Sequence, residues 1–335
     1  MIPYPPKMDL ARLPTELHEI VNISDLLKPG QRIWTKRDDE TGCLTTGNKL
    51  RKLEFYCQEA QTLGADTLLT SGSALSNHCR TTAVIARRLG MDCGLLLRGP
   101  KQPALDGNFL LMAITGAMFR MVDKDAKATS MDELHDMADK LKSDGKKPYI
   151  IPPGGTAELG VIAYAHAALE LKTQCDEMGL NPDAAVITVG SGSTHAGLVL
   201  GARGHGLGYP VLGISISAST EDCEPDAREL IADACTHLDI DDPTVESDVR
   251  ILDDYVGGGY GIAGSETYEF IADIGARSGV ICDPVYTGKA LQGTVAEMTS
   301  GCLQDAKDVI FVHTGGVFGI YQKKRGFDLE DWRTI

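Results

Sequence analysis

From residue 30 onward, short apolar runs alternate with segments of helical period, and this alternation leaves few architectures open. Strands are expected at 32–36, 67–71, 93–97, 118–122, 149–152, 185–189, 211–215 and 309–313. Helices are expected at 50–63, 77–89, 109–114, 131–141, 161–174, 194–203, 226–237, 266–277 and 289–298. Parallel strands joined through helices need right-handed crossovers, so the order predicts an α/β protein with mostly parallel sheets flanked by helices. Aromatic residues make up only 6% of the 335 residues. The core must therefore be aliphatic and rich in alanine and glycine, which suits helices packed closely on a parallel sheet. The length allows two ordinary domains or one large one. In such sheets a ligand crevice lies at the carboxyl ends of the strands. The turns that close strands with Gly, Ser and Thr are the places to look.

Charge narrows the classes of ligand. The net charge is −15, with no basic stripe to offset it, which disfavours nucleic acid as a partner. An anionic ligand would need a local device for its binding. The nine cysteines are widely spaced and include no Cys-x-x-Cys pair, so neither a disulfide framework nor a zinc or other metal site is expected. Most read as small buried apolar residues in a reducing compartment. Residues 1–13 hold prolines and charges, not an apolar core of signal-peptide length. No run approaches the ~20 apolar residues of a membrane span. A cytoplasmic protein with no membrane partner is expected. The acidic stretch 239–246 reads as a solvated loop. Pro152-Pro153-Gly154-Gly155 reads either as a plain turn or as a crossover between domains.

Several turns carry candidate chemistry. Thr45-Thr46-Gly47-Asn48-Lys49 delivers a lysine to the mouth of a helix, with Leu50, Leu53 and Cys57 on one face and Arg51, Lys52 and Glu54 on the others. Positive potential at a helix N-terminus favours the neutral amine, which can form a Schiff base with an aldehyde. Taken alone, Lys49 reads first as a solvated surface lysine, and only the rest of the chain can favour the nucleophile. Ser71-Gly72-Ser73-Ala74-Leu75-Ser76-Asn77-His78 ends a strand and opens a helix. Ser76 is a good N-cap, and the first-turn amides of Asn77 and His78 either bind a carboxylate or belong to simple capping. Gly190-Ser191-Gly192-Ser193-Thr194 follows another strand. Glycines that admit a ligand to the backbone, hydroxyl donors and a helix start make a phosphate cup, with a tight structural turn as the alternative. The segment lacks the Gly-Lys-Ser/Thr ending of a nucleotide P-loop, so a non-nucleotide phosphate fits better. Tyr260 sits in Gly257-Gly258-Gly259-Tyr260-Gly261, and Tyr286 in Asp283-Pro284-Val285-Tyr286-Thr287-Gly288-Lys289. His313-Thr314-Gly315-Gly316 ends the last strand with a hydroxyl and two glycines.

A lysine nucleophile, a phosphate cup, a carboxylate-binding helix end and a terminal hydroxyl together describe a site for pyridoxal 5'-phosphate (PLP). From Trp34-Thr35-Lys36-Arg37-Asp38-Asp39 to His313-Thr314-Gly315-Gly316, the chain resembles the PLP-dependent D-cysteine desulfhydrase / 1-aminocyclopropane-1-carboxylate (ACC) deaminase family. That family has the tryptophan synthase β-like fold. The motifs that carry the resemblance are Asn48-Lys49-Leu50-Arg51-Lys52-Leu53-Glu54, Ser76-Asn77-His78 and Asp283-Pro284-Val285-Tyr286-Thr287-Gly288-Lys289. The resemblance implies that Lys49 forms the Schiff base and that Ser191, Gly192, Ser193 and Thr194 hold the phosphate. It implies that Asn77 contacts the ring oxygen, that Ser76 lies beside the substrate carboxylate, and that Tyr260 and Tyr286 face the substrate. His78, Thr46 and Thr287 join the residues expected near the substrate, and Thr314 those near the cofactor. Two domains are implied, each a mostly parallel sheet flanked by helices. Residues 53–155 form a smaller domain inserted in a larger one made of 1–52 and 156–335. A homodimer acting on a small amino acid is implied as well.

Two positions bear on the reaction. ACC deaminases carry a glutamate where this chain has Thr287, and a leucine where it has Thr314. A carboxylate at the pyridine nitrogen makes the ring a strong electron sink, and a hydroxyl such as that of Thr314 supports positive charge there much less. Ring opening of a cyclopropane needs unusual activation; expulsion of a good β-leaving group needs less. The expected reaction is α,β-elimination from a cysteine-like amino acid, giving pyruvate, ammonia and sulfide. Thr46 replaces a glycine common in the desulfhydrase branch, and Ser73, Ala74 and Leu75 depart from its pattern before Ser76. The added hydroxyls of Thr45, Thr46, Ser71 and Ser73 either suit a more oxygenated substrate or are neutral drift near the pocket; on the first view an L-cysteate sulfo-lyase releasing sulfite is the next reading, ahead of ACC deaminase. β-Replacement or hydroxyl elimination is open to the same fold. A non-catalytic regulator that binds PLP or an amino acid is the reading from another class, and intact Lys49, Ser76 and Tyr286 weigh against it.

Overall fold

The computed structural model describes residues 2–123 and 130–327. The first half runs β1 (Leu17–Glu19), β2 (Arg32–Lys36), α1 (Lys49–Thr62), β3 (Thr67–Ser73), α2 (Asn77–Arg88), β4 (Asp92–Arg98), α3 (Gly107–Ile114), β5 (Met118–Val122), α4 (Ser130–Ser143), β6 (Pro148–Ile150) and α5 (Glu158–Met178). It continues with β7 (Ala184–Val189), α6 (Ser193–His205), β8 (Val211–Ser215), α7 (Thr220–Leu238), β9 (Arg250–Leu252), α8 (Ser265–Ser278), α9 (Thr287–Ser300), β10 (Asp308–Val312) and α10 (Val317–Lys323). Two sheets result. One has the order β1-β2-β10-β7-β8-β9, and the other β5-β4-β3-β6. Every pairing is parallel except that of β1 with β2. The α/β architecture expected from the alternating pattern is the one observed.

Every expected strand and helix is present. β1, β9 and α10 were not expected, because three-residue strands and a seven-residue helix offer too little pattern to read. α7 begins at Thr220, ahead of the expected 226, and carries Pro225 inside it. Proline normally breaks a helix, so the pattern was legible only beyond it. The acidic stretch is loop up to Val245, with Glu246 opening a 3-10 turn, and Pro153–Gly155 is a 3-10 turn between β6 and α5.

Close approach of helices replaces aromatic bulk in the core. A Cβ on Gly197 would lie 2.3 Å from the Val161 carbonyl, and one on Gly201 would lie 2.5 Å from the Ala168 methyl, so α6 rests directly on α5. From Leu50 to Cys57 helix α1 is buried on all sides: Arg51, Lys52 and Glu54 are 2%, 0% and 1% exposed. The buried charges and amine of α1 have partners. Arg51 donates to Asp38 at 2.7 Å and to Glu170 at 2.8 Å, and the Tyr164 hydroxyl donates to Asp38 at 2.6 Å. Burial alone would raise the Asp38 carboxyl, but the Arg51 guanidinium outweighs it and holds the group below its usual range. Glu54 accepts the amides of Leu10 and Ala11, both at 2.9 Å, which ties the N-terminal segment over α1. Seven of the nine cysteines are buried. Among the described residues, no helix is long and apolar enough to cross a membrane.

Candidate active site

The carboxyl ends of β3, β7 and β10 converge with the start of α1 around a cavity of ≈ 320 Å³. Lys49 stands on its wall at the first position of α1. The turn that brings it there needs glycine. Gly47 has φ +108°, and a Cβ on it would lie 2.8 Å from the Thr314 carbonyl; Gly315, with φ +91°, faces it just as closely. The two loops are joined by the Asn48 amide, which donates to the Thr314 carbonyl at 3.1 Å. The Asn48 side chain donates to the Thr194 hydroxyl at 3.0 Å. The start of α1 is thereby tied to the start of α6.

The Lys49 amine donates to the Gly154 carbonyl at 3.0 Å. Burial pushes its pKa down to about 8, partly opposed by the nearby Lys52 amine, which favours the Lys49 ammonium as a donor. One helical turn on, Lys52 is fully buried and donates to the Ser193 hydroxyl at 2.7 Å. Burial, and then the nearby Lys49, push it well below the usual lysine range. His78 donates to or accepts from Thr70 at 3.0 Å, and burial drives its pKa far down, so the ring is neutral. Two adjacent lysines stand here with no Asp or Glu among the residues lining the cavity.

The helix starts are where the sequence pattern expected them. Ser76 is the N-cap of α2 and accepts the Cys79 amide at 3.1 Å. That leaves the Asn77 and His78 amides as first-turn donors. The Asn77 carbonyl oxygen is held by Asn108 at 3.1 Å and Arg80 at 3.4 Å, which turns its NH₂ group away from them. Arg80 itself is fully buried, lies 4.9 Å from the Phe318 ring, donates to the Thr46 carbonyl at 2.6 Å, and has its pKa lowered to about 9 by burial. Gly192 precedes α6 with φ +87°, and Ser191 beside it is exposed to the cavity. Tyr286 and Tyr260 meet hydroxyl to hydroxyl at 2.5 Å, rings at 72°. The fully buried Asp283 carboxylate fixes the Tyr286 segment by accepting the amides of Val285, Tyr286 and Thr287 at 2.9, 3.1 and 3.0 Å.

Lys49, Ser76, Asn77, His78, Ser191, Gly192, Thr194, Tyr260, Tyr286 and Thr314 therefore share one cavity. Three expected residues stand behind the wall. Ser193 faces Lys52; the Thr46 hydroxyl donates to the Asp39 carbonyl; the Thr287 hydroxyl donates to Asp283 at 2.9 Å. Lys52, Asn48, Gly154, Thr188 and Ser217 were missed. Of these, Lys52 had a signal, because residues three apart in a helix share a face.

A family model described as "Pyridoxal-phosphate dependent enzyme" matches residues 8–315. The chain belongs to that family. A Pyrococcus abyssi protein that bears the provisional name of an ACC deaminase is 39% identical over 94% of this chain and 93% of its own length. A Salmonella paratyphi A D-cysteine desulfhydrase is 35% identical over 94% of this chain and 95% of its own. The crystal structure of an ACC deaminase homologue superposes with a TM-score of 0.86 at 36% identity, over 96% of this chain and 94% of that one. PLP is the cofactor, and the residues present fit it. The first-turn amides of α6, with no carboxylate among the lining residues, suit a phosphate dianion. The Thr188 hydroxyl, buried on the same wall, has no protein partner. A lysine with a depressed pKa on the cavity wall suits an aldehyde.

Proposed function

We propose that this PLP enzyme is a lyase that eliminates the β-substituent of a small cysteine-like amino acid, as a D-cysteine desulfhydrase does, giving pyruvate, ammonia and sulfide. One observation carries the reading: the cavity wall includes Thr314 and no carboxylate among the described residues. Without an acid to keep the pyridine nitrogen protonated, the site favours substrates whose leaving group departs easily. Bound PLP supplies the sink for the electron pair left at the substrate α-carbon.

The chain supplies the rest. The first-turn amides of α6 and the hydroxyls of Ser191 and Thr194 hold the phosphate, and Lys52, behind the wall, fixes Ser193 beneath it. Asn77 offers its NH₂ group to the ring oxygen. Ser76 and the first-turn amides of Asn77 and His78 take the substrate carboxylate. Lys49, already depressed by burial, takes the α-proton. The Cβ–S bond breaks with its electron pair on sulfur. Burial holds the Tyr286 proton far above its ordinary pKa, so its hydroxyl is a donor to the departing sulfur, with Tyr260 orienting it. The aminoacrylate released takes up water and yields pyruvate and ammonia.

The hydroxyls of Ser71 and Ser73 on the wall favour a second reading, L-cysteate with sulfite as the leaving group. The reading also includes a cytoplasmic homodimer and the division into 1–52 plus 156–335 and an inserted 53–155. Buried free cysteines support a reducing compartment. The four-stranded sheet, drawn wholly from β3 to β6, supports the inserted lobe. The test is a panel of D- and L-cysteine, L-cysteate, D-serine, β-chloroalanine and ACC, with pyruvate, 2-oxobutyrate, sulfide and sulfite quantified. D-Cysteine giving equal sulfide and pyruvate is the expected result. Sulfite from L-cysteate at higher kcat/KM selects the second reading, and 2-oxobutyrate from ACC as the main product overturns both.

A further inference from the structure

The loop that carries Tyr260 has almost nothing of its own to hold it. Gly257, Gly259 and Gly261 have φ of +60°, +100° and +75°, and a Cβ on any of them would meet nothing within 4 Å. Its own backbone bonds, from Gly259 to Val256 and from Ile262 to Gly259, only close turns within it. Ile262, beside it, is 58% exposed, and Tyr260 is 47% exposed. A chain so rich in glycine loses much entropy when ordered. Yet Tyr260 must reach Tyr286 across the mouth of the cavity.

Two lysines from neighbouring helices grip this loop. Lys289, on α9 and only 3% exposed, donates to the Val256 carbonyl at 2.7 Å and to the Gly259 carbonyl at 2.9 Å. Lys323, at the end of α10, donates to the Gly261 carbonyl at 2.7 Å. Lys289 is nearly buried and makes no ion pair among the described residues; Asp283 acts on it only through space. An ammonium buried against two carbonyls spends its hydrogen bonds on loop backbone.

We infer that Lys289 and Lys323 are positioning residues that clamp the 256–261 loop and so fix the Tyr260 ring at the mouth of the site. The inference rests on the reading above that Tyr260 faces the substrate. α9 follows Tyr286, and α10 follows Thr314 to Gly316, so the clamp ties the loop to the two segments that frame the cavity. It replaces the side-chain packing that the glycines cannot provide.

Hydrogen exchange on the full-length holoenzyme tests it. Lys289→Met keeps the length and removes the donors. Amide exchange across 257–262 is expected to rise roughly tenfold, the size expected for a lost charge-assisted hydrogen bond. The absorbance of bound PLP should be unchanged, while kcat falls or KM rises. Unchanged exchange in the folded variant overturns the clamp. If Lys289→Met fails to fold, Lys323→Met is read by the same criterion at 260–262. Tyr260→Phe separates the two ideas. A loosened loop in Lys289→Met beside full turnover in Tyr260→Phe keeps the clamp and removes Tyr260 from the chemistry.

Discussion

At one end of the cavity, backbone passes straight from β7 into α6, with Ser193 and Lys52 fully buried beneath the turn. At the other, Tyr260 rides an exposed glycine loop and meets Tyr286, whose own segment is pinned by Asp283. The first end is fixed by a helix start, a buried amine and a side-chain bond from Asn48 to Thr194. The second combines one fixed tyrosine with one held from outside. On the proposed assignment the contrast matches the two tasks. A cofactor that stays bound needs a rigid cradle, whereas a substrate that enters and leaves needs a mouth that opens. Lys49 stands between them, joined to both through the Gly47–Gly315 contact and the Gly154 carbonyl.

Removing the residue in the middle should cost most. Lys49→Ala is expected to lower turnover by at least ~10³-fold and to abolish the absorbance of lysine-bound PLP; a yellow, active variant would break the account. At the mouth, Tyr286→Phe should lower kcat by ~10²-fold while the affinity for PLP stays close to the parent's, measured by titrating apo-protein. At the cradle the pattern should invert. Lys52→Met should weaken PLP binding by ~10-fold, because the buried amine that fixes Ser193 beneath the phosphate turn is lost, with kcat at saturating PLP changed far less. Its apo-protein should melt no lower than the parent, because a buried amine beside Lys49 is replaced by an apolar chain of like size. Equal effects of both variants on affinity and kcat would erase the distinction between the ends.

The smallest effect is a shift in pH. A lysine whose pKa is lowered in the folded chain exposes its neutral amine as the pH rises through that lowered value. The rate at which apo-protein captures PLP should therefore climb through a midpoint near 8, not near the ordinary 10.5. A midpoint at the ordinary value would mean that the Lys49 amine is solvated.

Most of the site was legible because its parts lie where a strand stops and a helix starts. Ser76 is followed at once by the donors it exposes, and the glycines and hydroxyls of 190–194 sit in one run. What escaped depends on partners far along the chain. Lys52 reads as a polar position on a surface helix until Ser193 is brought to it. Arg80 reads as an ordinary helical arginine, yet it is buried against Thr46, Asn77, Asn108 and Phe318. Thr46 and Thr287 were expected at the substrate because of their place in the motifs. Their hydroxyls are instead turned to the Asp39 carbonyl and to Asp283, a direction that no spacing reveals. Likewise, Arg51 and Glu54 mark α1 as half-exposed in the sequence, while ion pairs and the N-terminal segment bury it. The strand order, with β10 between β2 and β7, is equally a matter of three dimensions.

Two lysines one helical turn apart make the central assignment open to a direct test. Lys49 is on the cavity wall, whereas Lys52 is sealed against Ser193. The holoenzyme would be treated with borohydride to make the cofactor link permanent, digested, and sequenced by mass spectrometry. The account predicts the pyridoxyl phosphate mass on Lys49 alone. Finding it on Lys52, or on neither, would contradict it.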